Sequence, residues 1–166
     1  MAKASIQAIV DALEMQLDDW LAFLDRDTGE VHEIQLSTLS FMEEGGDQEE
    51  ADVEDDEEAK IALAIVEHRD RFVQLPTKFD VHEWEIMREF AESVGPERFS
   101  NDLLNAIRGK GAFRYFKDTL YRYRREKEWF AFREEALRDI AIEWCEENGI
   151  EYVEDRRRAS GQDLLD

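Results

Sequence analysis

The residues that could bind a ligand are concentrated in one basic segment, Arg108–Lys127. It holds eight basic residues against two acidic ones, whereas the whole chain carries a net charge of −21. Lys110 stands between Gly109 and Gly111, and a turn of this kind before a helix exposes backbone N–H groups to an anion. We therefore predict that the segment binds RNA or another phosphorylated partner. The predicted ligand-binding residues are Arg108, Lys110, Arg114, Lys117, Arg122, Arg124 and Arg125.

Two tyrosines favour RNA within this prediction. Tyr115 and Tyr121 lie inside the basic segment, and single-stranded bases stack on aromatic side chains. The segment is not a nucleoside-triphosphate P-loop, because Lys110 is followed by glycine rather than Ser or Thr and no strand pattern precedes it. The alternative interpretation is that Gly109 only ends a helix and that the arginines pair with the abundant carboxylates of the chain.

An acidic tract contrasts with the basic segment. Eleven of the sixteen residues from Glu43 to Glu58 are acidic and none is basic. Such runs are usually solvated, so we predict a mobile loop over residues 43–57. The other interpretations of the tract are a nucleic-acid mimic, a divalent-cation sink and an internal competitor for the basic segment.

Catalytic and metal-binding motifs are not indicated. The three histidines, His32, His68 and His82, come from separate predicted elements and form no metal-binding spacing. The single cysteine, Cys145, follows Trp144 in an amphipathic helical pattern, so we predict that it lies in the core. We expect no cofactor, no metal and no catalytic residue, and a protein that is not an enzyme.

Helices and short strands must position the basic segment. Apolar spacing and capping signals predict helices over Ser5–Glu14, Ala59–His68 and Glu126–Asn148, and helices starting at Asp80, at Pro96 and after Gly111. Strands are predicted over Trp20–Leu24, Val31–Leu36, Arg71–Leu75 and Ile150–Val153. The expected fold class is α+β, with a small antiparallel β-sheet (an N-terminal hairpin plus short strands) packed with a C-terminal helical cluster.

The helix start at Asp80 has the most specific local signal. Asp80 is predicted as the N-cap, Glu83 as its capping-box partner, and Phe79 as a hydrophobic staple against Trp84. This prediction places the Trp84 ring in the core.

Composition limits the class of protein. With 43% hydrophobic residues the chain is too apolar to be disordered, so we predict a single domain over residues 1–166 with a frayed tail over 155–166. The longest apolar run, Ile61–Val66, is six residues, whereas a membrane span needs about 20. Together with the lone cysteine, this predicts a soluble cytoplasmic protein without a membrane partner.

Four segments occur together in an order known from one family. They are Trp20–Val31, Arg71–Asp80, Ala106–Arg114 and Trp144–Ile150. Over roughly residues 5 to 153, the chain resembles the bacterial uncharacterised protein family 0158. The resemblance implies a bacterial cytoplasmic protein of this architecture, and it supplies no catalytic residues.

The sequence therefore predicts a non-enzymatic binding or regulatory protein that contacts RNA or another phosphorylated partner. Two alternatives stay open. One is a protein-interaction adaptor that uses exposed aromatic residues of the C-terminal helices. The other is a metal-dependent hydrolase whose carboxylates are brought together only by the fold. A contiguous positive surface favours nucleic acid, whereas arginines paired with carboxylates favour the adaptor.

Overall fold

A computed structural model describes residues 2–45 and 56–156 of the chain. These residues form helices and short strands with a small antiparallel sheet, which confirms the predicted α+β class. The chain divides into two compact units, residues 1–77 with 141–166 and residues 78–140. The expectation that residues 1–166 form a single domain stays a prediction.

The first unit begins with β1 (Ala4–Ser5) and helix α1 (Ile6–Glu14). Ser5 caps this helix, because its Oγ accepts a hydrogen bond from the Ala8 N–H at 3.0 Å. The bond satisfies one of the N–H groups that a helix leaves unpaired at its start. The apolar stripe predicted from helical spacing is buried and consists of Ile6, Ile9, Val10 and Leu13.

A three-stranded antiparallel sheet lies at the centre of the first unit. Strand β2 (Trp20–Asp25) pairs with β3 (Val31–Gln35) on one side and with β4 (Phe72–Gln74) on the other. The predicted hairpin and the predicted third strand are confirmed. Gly29 in the hairpin turn has a φ of +76°, and an added Cβ would lie 2.5 Å from the Lys3 carbonyl oxygen. Glycine is therefore required there.

An ion pair with a buried carboxylate joins β2 to the residue that precedes β4. Arg71 donates from Nε to Asp25 Oδ1 at 2.8 Å and from Nη2 to Asp25 Oδ2 at 2.7 Å. The Asp27 backbone N–H donates to Asp25 Oδ1 at 2.9 Å. These bonds, led by those from Arg71, lower the pKa of Asp25 from 3.8 to about 2. The bidentate geometry helps to hold β2 and β4 in register.

Helix α2 (Leu36–Glu43) corrects two sequence predictions. The predicted strand through Leu36 stops at Gln35, and Glu43, predicted as the first residue of a loop, is the last residue of this helix. The reason is tertiary packing, because Leu39 and Met42 enter the core of the first unit. That core cluster consists of Phe23, Ile34, Leu39, Met42, Ala59, Ala62, Ile65 and Phe72.

Helix α3 (Glu57–Glu67) confirms the helix predicted from Ala59. The Asp56 carboxylate accepts hydrogen bonds from the N–H groups of Glu58 and Ala59, at 3.0 and 3.3 Å. Asp56 and Glu57 therefore start a helix where the sequence predicts the end of a loop. The rest of the predicted acidic loop, residues 46–55, lies outside the described residues.

Strand β5 (Tyr152–Val153) returns to pair in parallel with β1, which confirms the predicted strand. Asp155 follows it and accepts hydrogen bonds from the Ser5 hydroxyl and from the Gln7 N–H, the latter at 3.0 Å. The first residue of the predicted frayed tail is thus attached to the start of α1. Residues 157–166 of that tail lie outside the described residues.

The second unit is helical, as predicted for this half of the chain. Its helices are α4 (Lys78–Val81), α5 (Glu83–Ser93), α6 (Glu97–Ala106), α7 (Ala112–Tyr123) and α8 (Glu126–Glu147). Helix α8 continues past residue 140 into the first unit. Within residues 2–45 and 56–156, none of the helices combines the length and apolar character needed to cross a membrane.

Aromatic rings form the centre of the second unit. The Trp129 ring lies 5.4 Å from the Phe90 ring and 4.8 Å from the Phe116 ring, both in edge-on geometry. Helical spacing groups Phe113 and Phe130 with the apolar stripes of their helices, but both rings are exposed. Trp129 and Phe130 are consecutive in α8, which makes the buried face of the helix ambiguous in the sequence, and Trp129 is the buried one of the two.

The predicted capping box at Asp80 is wrong. Asp80 lies inside α4, and His82 precedes α5 in a left-handed conformation with φ 54° and ψ 57°. Phe79 is 78% exposed and Trp84 is 43% exposed, so the predicted staple does not form and the Trp84 ring is not in the core. The indole Nε1 of Trp84 instead donates a hydrogen bond to the Ile107 carbonyl at 2.9 Å.

Candidate nucleic-acid interface

The turn between α6 and α7 presents Lys110. Arg108, Gly109 and Lys110 are all exposed, and Gly111 has a φ of +75° at the N-cap position of α7. A left-handed N-cap without a side chain leaves the first turn of α7 without a side-chain cap. The N-cap residue of α7 thus supplies no side chain to its first backbone N–H groups, and the anion site expected from the glycines around Lys110 stays a prediction.

One exposed face of α7 combines cations with aromatic rings. Phe113, Arg114, Lys117 and Tyr121 follow one another at intervals of one, three and four residues, so they lie side by side along the helix. We call these four residues the α7 face. Phe113 is 53% exposed and Tyr121 is 63% exposed. Over residues 2–45 and 56–156, the structure gives Arg114 and Lys117 no ion pair or side-chain hydrogen bond.

Two of the predicted ligand-binding arginines have acidic partners instead. Arg122 Nη2 lies 3.2 Å from Asp102 Oδ2. Arg125 binds both carboxylate oxygens of Glu128, at 2.5 and 2.6 Å, and its guanidinium carbon lies 4.8 Å from the Phe99 ring centroid. The hydrogen bonds between them raise the pKa of Arg125 and lower the pKa of Glu128. The pairing expected for an adaptor surface thus applies to these two residues.

The remaining predicted residues, Arg108 and Arg124, are exposed beyond the two ends of α7. Arg124 ends this helix in a left-handed conformation with φ 57°, and its N–H bonds to the carbonyls of Leu120 and Tyr121. Among the described residues, the side chains of Arg108 and Arg124 have no ion pair. Five of the seven predicted ligand-binding cations therefore have no ion pair among the described residues, and they lie on α7 or near its two ends.

An open groove of about 620 Å³ lies between α6 and α7, next to these cations. Both signs of charge line it. Its polar lining consists of Asp102, Asn105, Lys110, Tyr115, Asp118, Thr119 and Arg122. Asp102, Asn105 and Asp118 were not among the residues predicted from the sequence, and only Asp118, as an acidic residue inside a basic segment, carries a signal that could have indicated it.

Gly111 shapes the wall of this groove. A Cβ at Gly111 would lie 3.2 Å from Cε2 of Tyr115, so the tyrosine ring packs against the turn. The ring is nevertheless 55% exposed and lines the groove. At Gly109, by contrast, an added Cβ would meet nothing within 4 Å. The two glycines around Lys110 therefore have different roles.

The two units differ in charge. Residues 78–140 contain thirteen basic and thirteen acidic residues, so they have no net formal charge. The other unit contains eight basic and twenty-nine acidic residues and carries the whole −21. The basic segment thus lies in the unit whose own net charge does not repel a polyanion.

A metal centre is not found in the part of the chain that the structure describes. There, no group of three or more His, Cys, Asp or Glu side chains is arranged to hold a metal ion. Cys145 is fully buried, as predicted, and burial raises its thiol pKa to about 11. The thiol is therefore protonated at neutral pH and unsuited to nucleophilic chemistry.

Comparison with known proteins identifies the family. The model of an uncharacterised protein family, UPF0158, matches residues 4–165. The chain belongs to this family. A curated member, UPF0158 protein PA5073 of Pseudomonas aeruginosa, is 30% identical over 67 residues, which are 40% of this chain and 44% of that relative. No solved structure matches the chain. UPF0158 membership confirms the resemblance found in the sequence, and it leaves the function to be inferred from the site.

Proposed function

We propose that this protein is a non-enzymatic RNA-binding protein and that single-stranded RNA binds along the α7 face and Lys110. The observation that carries the proposal is that three exposed cations have no ion pair with an acidic side chain among the described residues. Lys110, Arg114 and Lys117 have no acidic partner among the described residues, although the chain contains 42 acidic residues. Cations that have no protein partner are available to contact phosphates.

The spacing of these cations suits a nucleic-acid backbone. Arg114 and Lys117 are separated by one helical turn, which places their Cβ atoms about 5 to 6 Å apart. Lys110 precedes the start of the same helix, where the N–H groups and the helix dipole also attract a phosphate. The three side chains can therefore follow consecutive phosphates along one strand.

The aromatic residues favour a single strand over a duplex. Phe113 and Tyr121 are each more than half exposed and lie beside Lys117 on the helix surface. A base can stack on such a ring only when it is not paired and stacked within a duplex, and each stacked base contributes about 1 to 3 kcal/mol. Phosphate contacts and stacking together account for a site that binds RNA without a deep pocket.

The three phosphate contacts predict how steeply the affinity for RNA should fall with salt concentration. For single strands, each phosphate contact contributes about −0.7 to the slope of log affinity against log salt, so three contacts give about −2. Raising the salt from about 50 to about 200 mM should then weaken binding roughly twentyfold. Fluorescence anisotropy of a labelled mixed-sequence oligonucleotide measures both quantities.

Lys117→Glu tests the assignment of the site. We expect about tenfold weaker binding at low salt and a shallower salt slope, because one phosphate contact is replaced by a repulsive charge. Lys60→Glu is the matched control, since it makes the same change of charge at an exposed lysine of α3 whose ion-pair partner among the described residues is Glu57 in the same helix. Equal effects of the two variants, or no binding by the unmodified protein at low salt, would contradict the proposal.

A protein-interaction adaptor is the second candidate. Phe79 and Phe130 are 78% and 58% exposed and lie outside the α7 face, so RNA binding leaves them unexplained. A protein partner recovered from a bacterial lysate after nuclease treatment, and lost with Phe130→Ser but not with Lys117→Glu, would favour the adaptor.

A further inference from the structure

The groove between α6 and α7 contains polar groups that the protein itself does not use. Asp118 has no side-chain partner among the described residues, and neither does the Asn105 amide. Asp102 accepts hydrogen bonds from Arg122 and Tyr123 through Oδ2, and no other described residue donates to its Oδ1. The groove therefore offers carboxylate acceptors beside an amide that can donate or accept.

The same groove has an aromatic wall. Tyr115 lies against Gly111, keeps about half of its surface exposed and lines the groove next to Asn105 and Asp118. An exposed aromatic ring is a platform on which a nucleobase can stack. The groove thus combines a stacking surface with hydrogen-bonding groups, as in sites that read unpaired bases.

We propose that this groove recognises one guanine base of the strand that binds along the α7 face; the inference rests on the proposed RNA binding. Guanine presents two adjacent donors, N1–H and N2–H, on its Watson–Crick edge, and a carboxylate accepts both at once. Asp118 provides that carboxylate, and the Asn105 amide donates to the guanine O6. Tyr115 stacks on the face of the base.

The other bases do not match this arrangement. Adenine and cytosine each place a ring-nitrogen acceptor next to their amino group, so a carboxylate would meet one donor and one repelling lone pair. Uracil has a single N–H between two carbonyl oxygens. A site built on a carboxylate therefore rejects these bases by electrostatic repulsion as well as by lost hydrogen bonds.

The position of Asp118 connects the groove to the α7 face. It follows Arg114 by four residues and Lys117 by one, so Arg114 and Asp118 are neighbours on the helix surface. A strand whose phosphates contact Arg114 and Lys117 can therefore turn one base into the groove. The negative charge of Asp118 among phosphate-binding cations weakens the binding of any RNA strand. Selection of one base would explain why an acidic residue stands at this position.

The test uses oligouridine strands that carry one central guanosine, inosine, adenosine or cytidine, with anisotropy as the readout. We expect the guanosine strand to bind about tenfold more tightly than the uridine strand, the usual scale for one bidentate base contact. Inosine lacks the N2 amino group and should lose most of that preference. Asp118→Asn should abolish the preference while tightening binding of the uridine strand, because a repulsive charge is removed.

Glu89→Gln is the matched control, because Glu89 is exposed on α5 outside the groove and loses the same charge. It should leave the guanosine preference unchanged. Binding without a guanosine preference, or a preference that survives Asp118→Asn, overturns the groove assignment and leaves the proposed function intact. Failure of every strand to bind overturns both.

Two variants of the ring test the role of Tyr115. Tyr115→Ala removes the stacking surface and should weaken binding of the guanosine strand several-fold, whereas Tyr115→Phe keeps the ring and should not. Equal binding by the two variants would remove Tyr115 from the proposed site.

Discussion

The buried carboxylate of Asp25 should make the stability of the protein depend on pH. Asp25 is 3% exposed and receives two hydrogen bonds from Arg71 and one from the Asp27 backbone. Asp25→Asn removes the charge while keeping the size of the side chain. The variant therefore isolates the contribution of the ionised carboxylate to the free energy of unfolding.

The lowered pKa of Asp25 gives the size of its contribution to the free energy of unfolding. Hydrogen bonds from Arg71 lower it from 3.8 to about 2, and one pKa unit corresponds to about 1.4 kcal/mol. The Arg71 side chain is 37% exposed, so solvent screens part of the interaction. We therefore expect the charged form of Asp25 to stabilise the fold by about 1 to 2 kcal/mol at pH 7.

The direction of the pH dependence of stability follows from the lowered pKa of Asp25. A group that is more acidic in the folded state contributes stability above its unfolded pKa and loses it as the pH falls through the folded pKa. The contribution of Asp25 should be complete at neutral pH and should disappear between about pH 5 and about pH 2. The difference in stability between the unmodified protein and Asp25→Asn should shrink over the same range.

Urea unfolding followed by tryptophan fluorescence at a series of pH values measures this difference. All other carboxylates titrate in both proteins, so their effects cancel in the comparison. Asp27→Asn is the control, because Asp27 lies 3.3 Å from Arg71 Nε but its side chain is 70% exposed; its effect should be about 0.5 kcal/mol or less. A difference for Asp25→Asn that stays constant from pH 7 to about pH 3 would refute the reasoning.

Three further predictions follow from the structure. Gly29→Ala should lower the melting temperature far more than Gly45→Ala in thermal denaturation, because both sites have positive φ but only Gly29 would bring a Cβ against the Lys3 backbone; equal losses would contradict this. Trp84→Phe should destabilise by about 1 kcal/mol in urea unfolding through its lost hydrogen bond, and a loss of 3 kcal/mol or more, the scale of a core ring, would contradict the exposed position of Trp84. Neutralising the six acidic residues of 46–55 with Asn and Gln should tighten RNA binding in anisotropy, since it reduces the net charge of −21; unchanged affinity would show that the tract exerts no field at the site.

Local patterns in the sequence were enough for much of the first unit. The stripe of α1, the hairpin around Gly29 and the strand before Pro76 depend on residues close together in the chain, and all three are confirmed. Helix α2 was not predictable in this way. Its burial depends on contacts of Leu39 and Met42 with side chains from other elements. The periodicity of a short segment gives no information about such contacts.

In the second unit, a motif with the right spacing led to a wrong prediction of a helix start. Asp80 and Glu83 have the spacing of a capping box, yet the left-handed backbone at His82 separates two helices between them. The basic segment was predictable because charge is a property of composition. The groove was not, since Asn105 and Asp118 belong to different helices and become neighbours only through the packing of α6 against α7.

The pairing of β1 with β5 has a consequence for how the protein is made. Ala4 lies opposite Tyr152, and Ser5 and Gln7 bind Asp155, so β1 and the start of α1 need residues 152–155. During synthesis, residues 78–140 leave the ribosome before these partners exist, and a nascent chain can complete that unit first. Strand β1 must wait, unpaired, until residues 152–155 have been made. A stop codon a few residues before Tyr152 would therefore leave β1 and the start of α1 without these partners.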